Sequence, residues 1–380
     1  MDRSYRIPFN RPAQLGNEFN YIAEALANGH ASGNGPFTKR CEALLEAALG
    51  ATKVILTTSC THALEMSALL LRIQPGDEVI LPSFTFVSTA NAFVLRGARP
   101  VFVDVRPDTC NLDERLVEAA ITEKTRAIVP VHYAGVGCQM DVLGEIAARH
   151  NLPLVEDAAQ GLFGRFRGQY LGTFGALGTI SFHETKNFTC GEGGALVIND
   201  PALVERAEII SEKGTDRSRF FRGEVDKYTW VDVGSSYILS DILAAYLLAQ
   251  LECRARVMQN RADIFRRYAQ DLAGLETAGK VRLPIVPPDC EQTHHMFYML
   301  LPSVEQRDGL IQHLKAHAIL AVFHYVPLHT SSMGRRAGYT EADCPVTQSL
   351  SDRLVRLPFY NDLTKADQSR VIEQIWAFFR

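Results

Sequence analysis

Short apolar runs alternate with amphipathic segments over the first half of the chain. Each run is long enough for a strand, and the runs occupy residues 54–56, 78–81, 101–105, 127–131, 154–155, 179–182 and 195–198. Between the first two runs, Ala63, Met66, Leu70 and Ile73 recur at spacings of three and four, which is the repeat of one buried helical face. This alternation predicts an α/β fold with a mainly parallel sheet covered by helices on both faces.

The pattern changes near residue 240, where a helical run without proline extends from 241 to about 275. After a proline-containing break, extended segments and helices alternate again, and Thr364 and Asp367 are spaced to cap the last helix. We place the domain boundary within the long helical run. The prediction is an N-terminal arm and a large α/β domain over residues 1–250, followed by a small α+β domain over residues 251–380.

The composition is that of a globular protein, with 47% hydrophobic and 22% charged residues. A chain of 380 residues exceeds one compact core, so two domains are expected, with a single large α/β unit carrying an appendage as the alternative. The net charge of -4 argues against nucleic acid as a partner. Residues 1–8 lack the apolar core of a signal peptide and no apolar run has the length of a membrane span, so a cytoplasmic protein is expected. The eight cysteines include no Cys-x-x-Cys pair, so neither disulfides nor a metal site is predicted.

Polar and aromatic residues follow the predicted strands at the points where the strands end. In a sheet of this kind ligands bind at the carboxyl ends of the strands, so these residues are expected to meet at one edge. They are residues 57–61 and 84–86, His132, Tyr133, Asp157, Gln160 and Lys186.

Lys186 stands between an apolar strand and the glycine-rich turn 191–194. A lysine that is partly desolvated there can serve as a neutral amine for Schiff-base chemistry, although a lone lysine is also typical of a solvated surface. A pyridoxal phosphate enzyme further requires a carboxylate for the ring nitrogen and donors for the phosphate. Asp157 is the candidate carboxylate, with a helix cap as its alternative role. Residues 59–61, at a helix start, offer hydroxyl and backbone N–H groups to a phosphate.

These residues stand in the arrangement of a known family. Over essentially its full length the sequence resembles the DegT/DnrJ/EryC1/StrS sugar aminotransferases, which are pyridoxal 5'-phosphate enzymes of the aspartate aminotransferase fold, fold type I. The matching segments are 59–64, 82–89, 131–135, 156–160, 181–187 and 191–194. The resemblance implies a homodimer whose active sites are shared between the subunits.

The resemblance also implies roles for single residues. Lys186 would bond to the cofactor, Asp157 would pair with its ring nitrogen, and Phe86 would stack on the ring. Gln160 would lie near the ring hydroxyl, and the phosphate would be held by Ser59, Cys60, Thr61 and Ser181. His183 is a candidate catalytic residue, either as a positioning group or as a general acid or base.

Two positions depart from the family pattern. The family's Gly-x-Asn-x-Arg element, whose Asn reaches the phosphate in the neighbouring subunit, reads Gly-Ser-Ser-Tyr-Ile over residues 234–238. Ser236 would replace the Asn as a shorter donor, and the Arg is missing. Cys60 stands where the family usually has a glycine before the phosphate-binding Thr.

Within the family, the stretches 82–97, 220–230 and 322–329 resemble the transaminases that form dTDP-4-amino-4,6-dideoxygalactose for enterobacterial common antigen and lipopolysaccharide biosynthesis. The implied reaction moves the amino group of L-glutamate to C4 of dTDP-4-keto-6-deoxy-D-glucose, with another nucleotide-linked keto-sugar as the alternative acceptor. Candidate contacts to the substrate are Asn10, Arg11, Gly33 and His329, and by charge type Arg217, Arg219 and Arg222. The alternative for each of these residues is a loop or solvated surface position that contacts no ligand.

Three other functions are less consistent with the sequence. A sugar dehydratase of the same family would carry histidine at the lysine position, so Lys186 argues against it. A catalytically silent regulator with this fold would not need Lys186, Asp157 and the phosphate loop together. A nicotinamide enzyme would show Gly-x-Gly-x-x-Gly after a first strand, which the sequence does not have.

Overall fold

The computed structural model describes residues 5–380 and contains a strand at each predicted apolar run. The strands are β1 (Lys53–Thr57), β2 (Glu78–Pro82), β3 (Arg99–Val103), β4 (Thr125–Ile128), β5 (Val155–Asp157), β6 (Arg165–Phe166), β7 (Gln169–Tyr170), β8 (Leu177–Ser181), β9 (Gly194–Ile198), β10 (Cys290–Glu291), β11 (Tyr298–Leu300) and β12 (Leu354–Arg356). The helices are α1 (Glu18–Ala27), α2 (Pro36–Leu49), α3 (Cys60–Leu70), α4 (Val87–Val94), α5 (Glu114–Val117), α6 (Met140–Arg149), α7 (Val204–Ser211), α8 (Arg217–Phe221), α9 (Asp241–Glu252), α10 (Arg254–Thr277), α11 (Val304–Ala316), α12 (Ser332–Arg336), α13 (Pro345–Arg353) and α14 (Lys365–Phe378).

The long strands of the first half form one continuous sheet. β3, β2 and β4 pair in that order and run parallel. β1, β9, β8 and β5 pair in that order, with β5 parallel to β8 and β9 antiparallel to both of its neighbours. Parallel bridges from Ile128 to Leu154 and from Val131 to Asp157 join the two groups. The sheet is therefore mainly parallel, as predicted, with β9 reversed.

β9 is reversed because a loop, rather than a crossover helix, connects it to β8. Phe182 N donates to Gly193 O at 2.8 Å, and Cys190 N donates to Phe182 O at 3.0 Å. These bonds fold residues 182–193 back at the end of β8. Lys186 lies in this loop and is therefore held at the edge where β1, β5 and β8 also end.

The single helix predicted for residues 241–275 is wrong, because α9 and α10 are separated at Cys253. The backbone of Cys253 has φ -89° and ψ 15°, and its N–H donates to Gln250 O at 3.1 Å, as in a tightened last turn. Neither proline nor glycine marks this break in the sequence. The domain boundary predicted after residue 250 falls in the last turn of α9, and it stays a prediction.

The second half of the chain has an apolar core of its own. Side chains of α10, α11, α14, β11 and β12 form one buried cluster, which Ile7 of the N-terminal arm joins. The cap predicted for α14 is confirmed, because the hydroxyl oxygen of Thr364 accepts a hydrogen bond from Asp367 N at 3.1 Å. Across residues 5–380, no helix combines the length and the apolar character that crossing a bilayer requires.

Candidate active site

A cavity of about 570 Å³ opens at the carboxyl edge of the sheet, where the predicted residues were expected to meet. Its volume is in the usual range for a small-molecule site. The wall contains most of the predicted site residues, namely Asn10, Ser59, Cys60, Thr61, Phe86, Asp157, Gln160, Ser181, His183 and Lys186. Arg11, Gly33, Ser236 and His329 are not part of this wall.

Lys186 is half-buried in the cavity wall, and its backbone N–H donates to His183 O at 2.9 Å. Burial lowers the pKa of the Lys186 ammonium below its usual range, and the nearby Arg356 acts in the same direction. Cys60 and Asp157 oppose this shift without reversing it. The neutral amine, which is the nucleophilic form, is therefore more accessible than for a surface lysine.

Asp157 ends β5 with a carboxylate whose two oxygens are both held. Oδ2 accepts a hydrogen bond from the Thr89 hydroxyl at 2.7 Å, and Oδ1 accepts one from Ala159 N at 3.1 Å. The Thr85 and Thr89 hydroxyls are in turn 2.8 Å apart. No helix starts after Asp157, so the carboxylate is not a helix cap. This network fixes the direction in which Asp157 faces the cavity.

The start of α3 presents unpaired backbone donors to the cavity. The Ser59 hydroxyl oxygen caps the helix by accepting from His62 N at 3.1 Å. The N–H groups of Cys60 and Thr61 have no acceptor within residues 5–380. Cys60 does not have a positive φ, so the loop does not need the glycine that relatives carry there. A helix start with free N–H groups binds phosphate without further charge.

Gly194 lets this loop lie directly against the start of β9. A Cβ atom at residue 194 would come within 2.3 Å of Cys60 N and of the Ser59 carbonyl carbon. No side chain fits in that space. The absence of a side chain at residue 194 therefore sets the position of the Ser59–Cys60 peptide.

Phe86 and Gln160 lie on other parts of the cavity wall. The Phe86 side chain is 57% exposed, and its ring centroid is 6.4 Å from that of Tyr325. Gln160 is fixed at both ends, because its Oε1 accepts from Ala134 N at 2.7 Å and its Nε2 donates to the Tyr325 hydroxyl at 3.2 Å. Tyr325 comes from the second half of the chain and was not predicted.

His183 and Asn10 stabilise the loop that carries Lys186. His183 Nδ1 is 2.9 Å from the Thr185 hydroxyl, and His183 Nε2 is 3.6 Å from a Glu192 carboxylate oxygen. Asn10 Nδ2 donates to Glu184 O at 3.2 Å. The Ser181 hydroxyl, at the end of β8, lies in the same wall.

The other predicted residues lie outside the cavity. His329 is fully buried, with its Nδ1 2.6 Å from the Ser83 hydroxyl. Gly33 packs against Leu239 in a bridge to Ser240, and Arg11 is exposed. Ser236 is exposed on the surface of its own chain. The arginines of the 217–222 segment pair with acids of their own chain, Arg217 with the buried Glu212 and Arg219 and Arg222 with the exposed Glu224.

The groups in the wall fit pyridoxal phosphate. They provide an amine with a lowered pKa, an oriented carboxylate, an exposed aromatic ring and unpaired N–H groups at a helix start. Each matches one part of that cofactor, which needs a covalent partner, a ring-nitrogen partner, a stacking face and phosphate donors.

Comparisons with known proteins point the same way. The model of the DegT/DnrJ/EryC1/StrS aminotransferase family matches residues 13–376. Among similar solved structures, DesV of S. venezuelae is 34% identical, with a TM-score of 0.87 and coverage of 98% of this chain and 99% of DesV. A family aminotransferase from Brucella abortus is 33% identical, with a TM-score of 0.85 and 95% of each chain covered. The pyridoxal phosphate form of a sugar aminotransferase from Streptococcus pneumoniae is 28% identical, with a TM-score of 0.91 and 98% of each chain covered.

Proposed function

The chain belongs to the DegT/DnrJ/EryC1/StrS family of pyridoxal phosphate-dependent aminotransferases, and from this premise we propose its reaction. It transfers the amino group of L-glutamate to C4 of dTDP-4-keto-6-deoxy-D-glucose. The products are dTDP-4-amino-4,6-dideoxy-D-galactose and 2-oxoglutarate. The observation that carries the proposal is the meeting of Lys186, Asp157 and the start of α3 in one cavity.

Six groups of the wall would hold the cofactor. Lys186 would bond to it, Asp157 would pair with the ring nitrogen, and the start of α3 would bind the phosphate with help from Ser181. Phe86 would cover one ring face and Gln160 would lie near the ring hydroxyl. When bound, pyridoxal phosphate supplies an electron sink that stabilises negative charge on the substrate carbon.

Lys186 is the residue that moves protons. Its Nζ takes the proton from the α-carbon of the amino donor and delivers a proton to C4 of the acceptor sugar. A lysine with a lowered pKa is better suited to both transfers than a surface lysine, because its neutral form accepts a proton and its ammonium form donates one. Asp157 does not exchange these protons, since its role is to hold a positive charge at the ring nitrogen.

His183 positions the Lys186 loop rather than transferring protons. Its Nδ1 faces the Thr185 hydroxyl and its Nε2 faces Glu192, so both ring nitrogens already have partners within the chain. Lys186 supplies the proton transfer that the reaction needs.

The choice of sugar nucleotide rests on the resemblance of residues 82–97, 220–230 and 322–329 to the dTDP-4-amino-4,6-dideoxygalactose transaminases. A product of that kind would enter enterobacterial common antigen in the cytoplasm. Asn10 is the predicted substrate contact that lies in the cavity wall. Incubation with L-glutamate and a panel of nucleotide keto-sugars, followed by NMR of the product, tests this choice. Amination of a different sugar, or at C3, would contradict it.

We also propose a homodimer with shared sites. Ser236 is exposed and outside the cavity of its own chain, and Trp230 nearby is 77% exposed. A second copy that covered this surface would bury Trp230 and would bring Ser236 to the phosphate end of the neighbouring site.

The covalent assignment has its own test. Borohydride reduction of the cofactor-loaded protein, followed by proteolysis and mass spectrometry, should place the cofactor on Lys186. A tag on another lysine, or none, would refute the proposed function.

A further inference from the structure

His295 places an imidazole nitrogen without a partner in the cavity wall. The residue lies shortly before β11 and was not predicted as a site residue. Its Nδ1 atom is 3.0 Å from Asn187 Oδ1, and Asn187 lies behind the wall. Its Nε2 atom has no hydrogen-bond partner within residues 5–380 and is not fully enclosed by protein, so it is open to the cavity.

The side chain of Asn187 determines which nitrogen of His295 carries the hydrogen. Asn187 Nδ2 donates to Thr293 O at 2.9 Å, and only the NH₂ end of the amide can make that bond. Asn187 Oδ1 therefore faces His295, and this oxygen can only accept. In a neutral imidazole the hydrogen is then on Nδ1, which leaves Nε2 as an acceptor.

The imidazole of His295 is neutral. Burial lowers the pKa of His295 well below its usual range, and the charges of Lys186 and Arg356 act in the same direction. The neutral ring therefore prevails at physiological pH. The cavity wall thus presents a hydrogen-bond acceptor at Nε2 and not a cation.

The backbone around His295 is held in place by residues from two other parts of the chain. Arg261 of α10 is buried, with its Nε donating to His294 O at 2.9 Å and its Nη2 donating to His295 O at 2.6 Å. The Thr293 hydroxyl donates to Gln160 O at 2.7 Å. A ring supported in this way keeps one direction, as a group that recognises a ligand requires.

An unpaired acceptor in a ligand cavity favours a ligand that brings a donor. Of the two proposed substrates, the keto-sugar has hydroxyl groups, which can donate. The carboxylates of an amino acid can only accept, and its amine is the group that reacts. Asn187 directly follows Lys186, so the ring bonded to Asn187 lies in the part of the wall next to the reacting amine.

We propose that His295 Nε2 accepts a hydrogen bond from the hydroxyl group on the carbon next to the ketone of the keto-sugar. This inference rests on the proposed aminotransferase function. In dTDP-4-keto-6-deoxy-D-glucose that hydroxyl is at C3, since the other neighbour of C4 carries the methyl group. His295 then determines specificity and exchanges no proton with the substrate.

Three variants separate the acceptor from the rest of the side chain. His295→Asn keeps an amide that can donate to Asn187 and has no atom at the position of Nε2. His295→Gln is long enough to return an acceptor there. The matched control is His294→Asn, because the His294 ring packs against Phe265 outside the cavity. Its backbone, with φ 50°, is in the left-handed region that asparagine tolerates.

Calorimetry on the cofactor-loaded protein measures the hydrogen bond without the reaction. The probes are dTDP-6-deoxy-D-glucose and its 3-deoxy analogue, which have no ketone and so cannot react. Wild type and His294→Asn should bind the 3-hydroxyl sugar about tenfold more tightly, the effect of one hydrogen bond. In His295→Asn the two affinities should lie within about threefold, and His295→Gln should fall between.

Rates of the two half-reactions show which substrate depends on His295. In stopped-flow absorbance, His295→Asn should lower kcat/KM for the keto-sugar by about tenfold and change kcat/KM for L-glutamate less than about threefold. Equal losses with both substrates would overturn the proposal, because they would place the effect on Lys186 or on the cavity as a whole. Wild type that bound the two probe sugars equally well would overturn it as well.

Nitrogen-15 NMR of the cofactor-free protein tests the tautomer directly. With histidine labelled, the His295 signals are identified by their loss in His295→Asn, or in His295→Gln if the first variant does not fold. We expect a hydrogen on Nδ1 and none on Nε2. A hydrogen on Nε2 would overturn the proposal.

The amination assay keeps failure of this inference apart from failure of the proposed function. The probe pair is built on whichever nucleotide keto-sugar the panel shows to be aminated. A protein that aminated no keto-sugar would refute the proposed function and this inference with it. A protein that aminated the keto-sugar but did not distinguish the deoxy analogue would refute this inference alone.

Discussion

Two hydroxyl groups hold the carboxylate of Asp157 in place. Thr89 donates to Asp157 and is itself bonded to Thr85, four residues earlier in the chain. All three side chains are buried. Leaving a buried acceptor without its donor costs free energy, so Thr89, the middle member of this hydrogen-bonded series, is its sensitive point.

Thr89→Val tests that role, because it keeps the shape of the side chain and removes the hydroxyl. It leaves Asp157 Oδ2 without its donor, so the free energy of unfolding should fall by about 1 to 3 kcal/mol. The amination rate should fall by roughly tenfold or more, because the carboxylate is no longer aimed at the ring nitrogen. Thr89→Ser keeps the hydroxyl and should stay near wild type in both measurements. Equal losses in the two variants would show that packing, not the hydrogen bond, matters here.

Lys186 should lower the stability of the cofactor-free protein. Its pKa is lowered by burial from the usual 10.5, so the folded state binds fewer protons than the unfolded state between the two pKa values. Wild-type stability therefore rises with pH across that interval. Lys186→Met, which does not titrate, should be more stable at neutral pH by on the order of 1 kcal/mol, the usual size of a single-residue effect.

Urea unfolding from pH 6 to pH 10.5 checks this prediction. The advantage of Lys186→Met should be largest at the acidic end and should shrink as the pH approaches 10.5. An advantage that grew with pH would contradict a lowered lysine pKa.

At the scale of elements, the position of the Ser59–Cys60 peptide, where we propose that the phosphate binds, depends on contact between α3 and β9. Gly194, the first residue of β9, leaves no room for a Cβ against the Ser59–Cys60 peptide. The two elements meet only because β9 runs antiparallel and brings its first residue to the end of β1. A side chain at this point would push the helix start out of position.

Gly194→Ala should therefore weaken cofactor binding by about tenfold or more and lower the melting temperature by several degrees, roughly the effect of 1 to 3 kcal/mol of overpacking. Fluorescence titration of the cofactor and thermal unfolding measure the two effects. Gly144→Ala in α6 is the matched control, because no atom lies within 4 Å of the added Cβ. It should be neutral or slightly stabilising, since alanine is the better helix former. Unchanged cofactor affinity in Gly194→Ala would show that cofactor binding does not depend on close packing of the Ser59–Cys60 peptide against residue 194.

The sequence predicted those parts of the site that depend on local pattern. Strand ends could be identified from apolar runs, and the rule that ligands bind at the carboxyl edge then brought Asp157, Gln160 and Lys186 together. The spacing of Thr85 and Thr89 was visible as well, but the hydrogen bond from Thr89 to Asp157 joins residues 68 positions apart and could not be predicted from local pattern. The break at Cys253 could not be predicted, because no breaking residue accompanies it.

Over the whole molecule, the cavity joins stretches that are far apart in sequence. Phe9, Lys186, Tyr325 and Arg356 all line it. The N-terminal arm reaches it because Ile7 bridges to Ile319, and β12 reaches it through the bridge from Val322 to Arg356. Such contacts depend on how the two halves pack and not on any local periodicity. For that reason Arg356 and Tyr325 did not stand out in the sequence.

The shared-site dimer can be tested with two complementary variants. Lys186→Met removes the reacting amine from its own site, and Ser236→Trp should obstruct the phosphate end of the site in the neighbouring subunit. Each homodimer should be inactive. A mixed dimer should contain one intact site, formed by Lys186 of the Ser236→Trp chain and Ser236 of the Lys186→Met chain.

Co-expression of the two variants with different affinity tags, followed by tandem purification, isolates the mixed dimer. Its activity should be about half that of wild type, because one of the two sites of a symmetric dimer is restored. The separately purified homodimers, mixed just before the assay, are the control and should stay inactive until subunits exchange. If Ser236 served its own chain, both sites of the mixed dimer would carry a damaging substitution and no activity would return. Sedimentation of the wild type as an active monomer would exclude shared sites altogether.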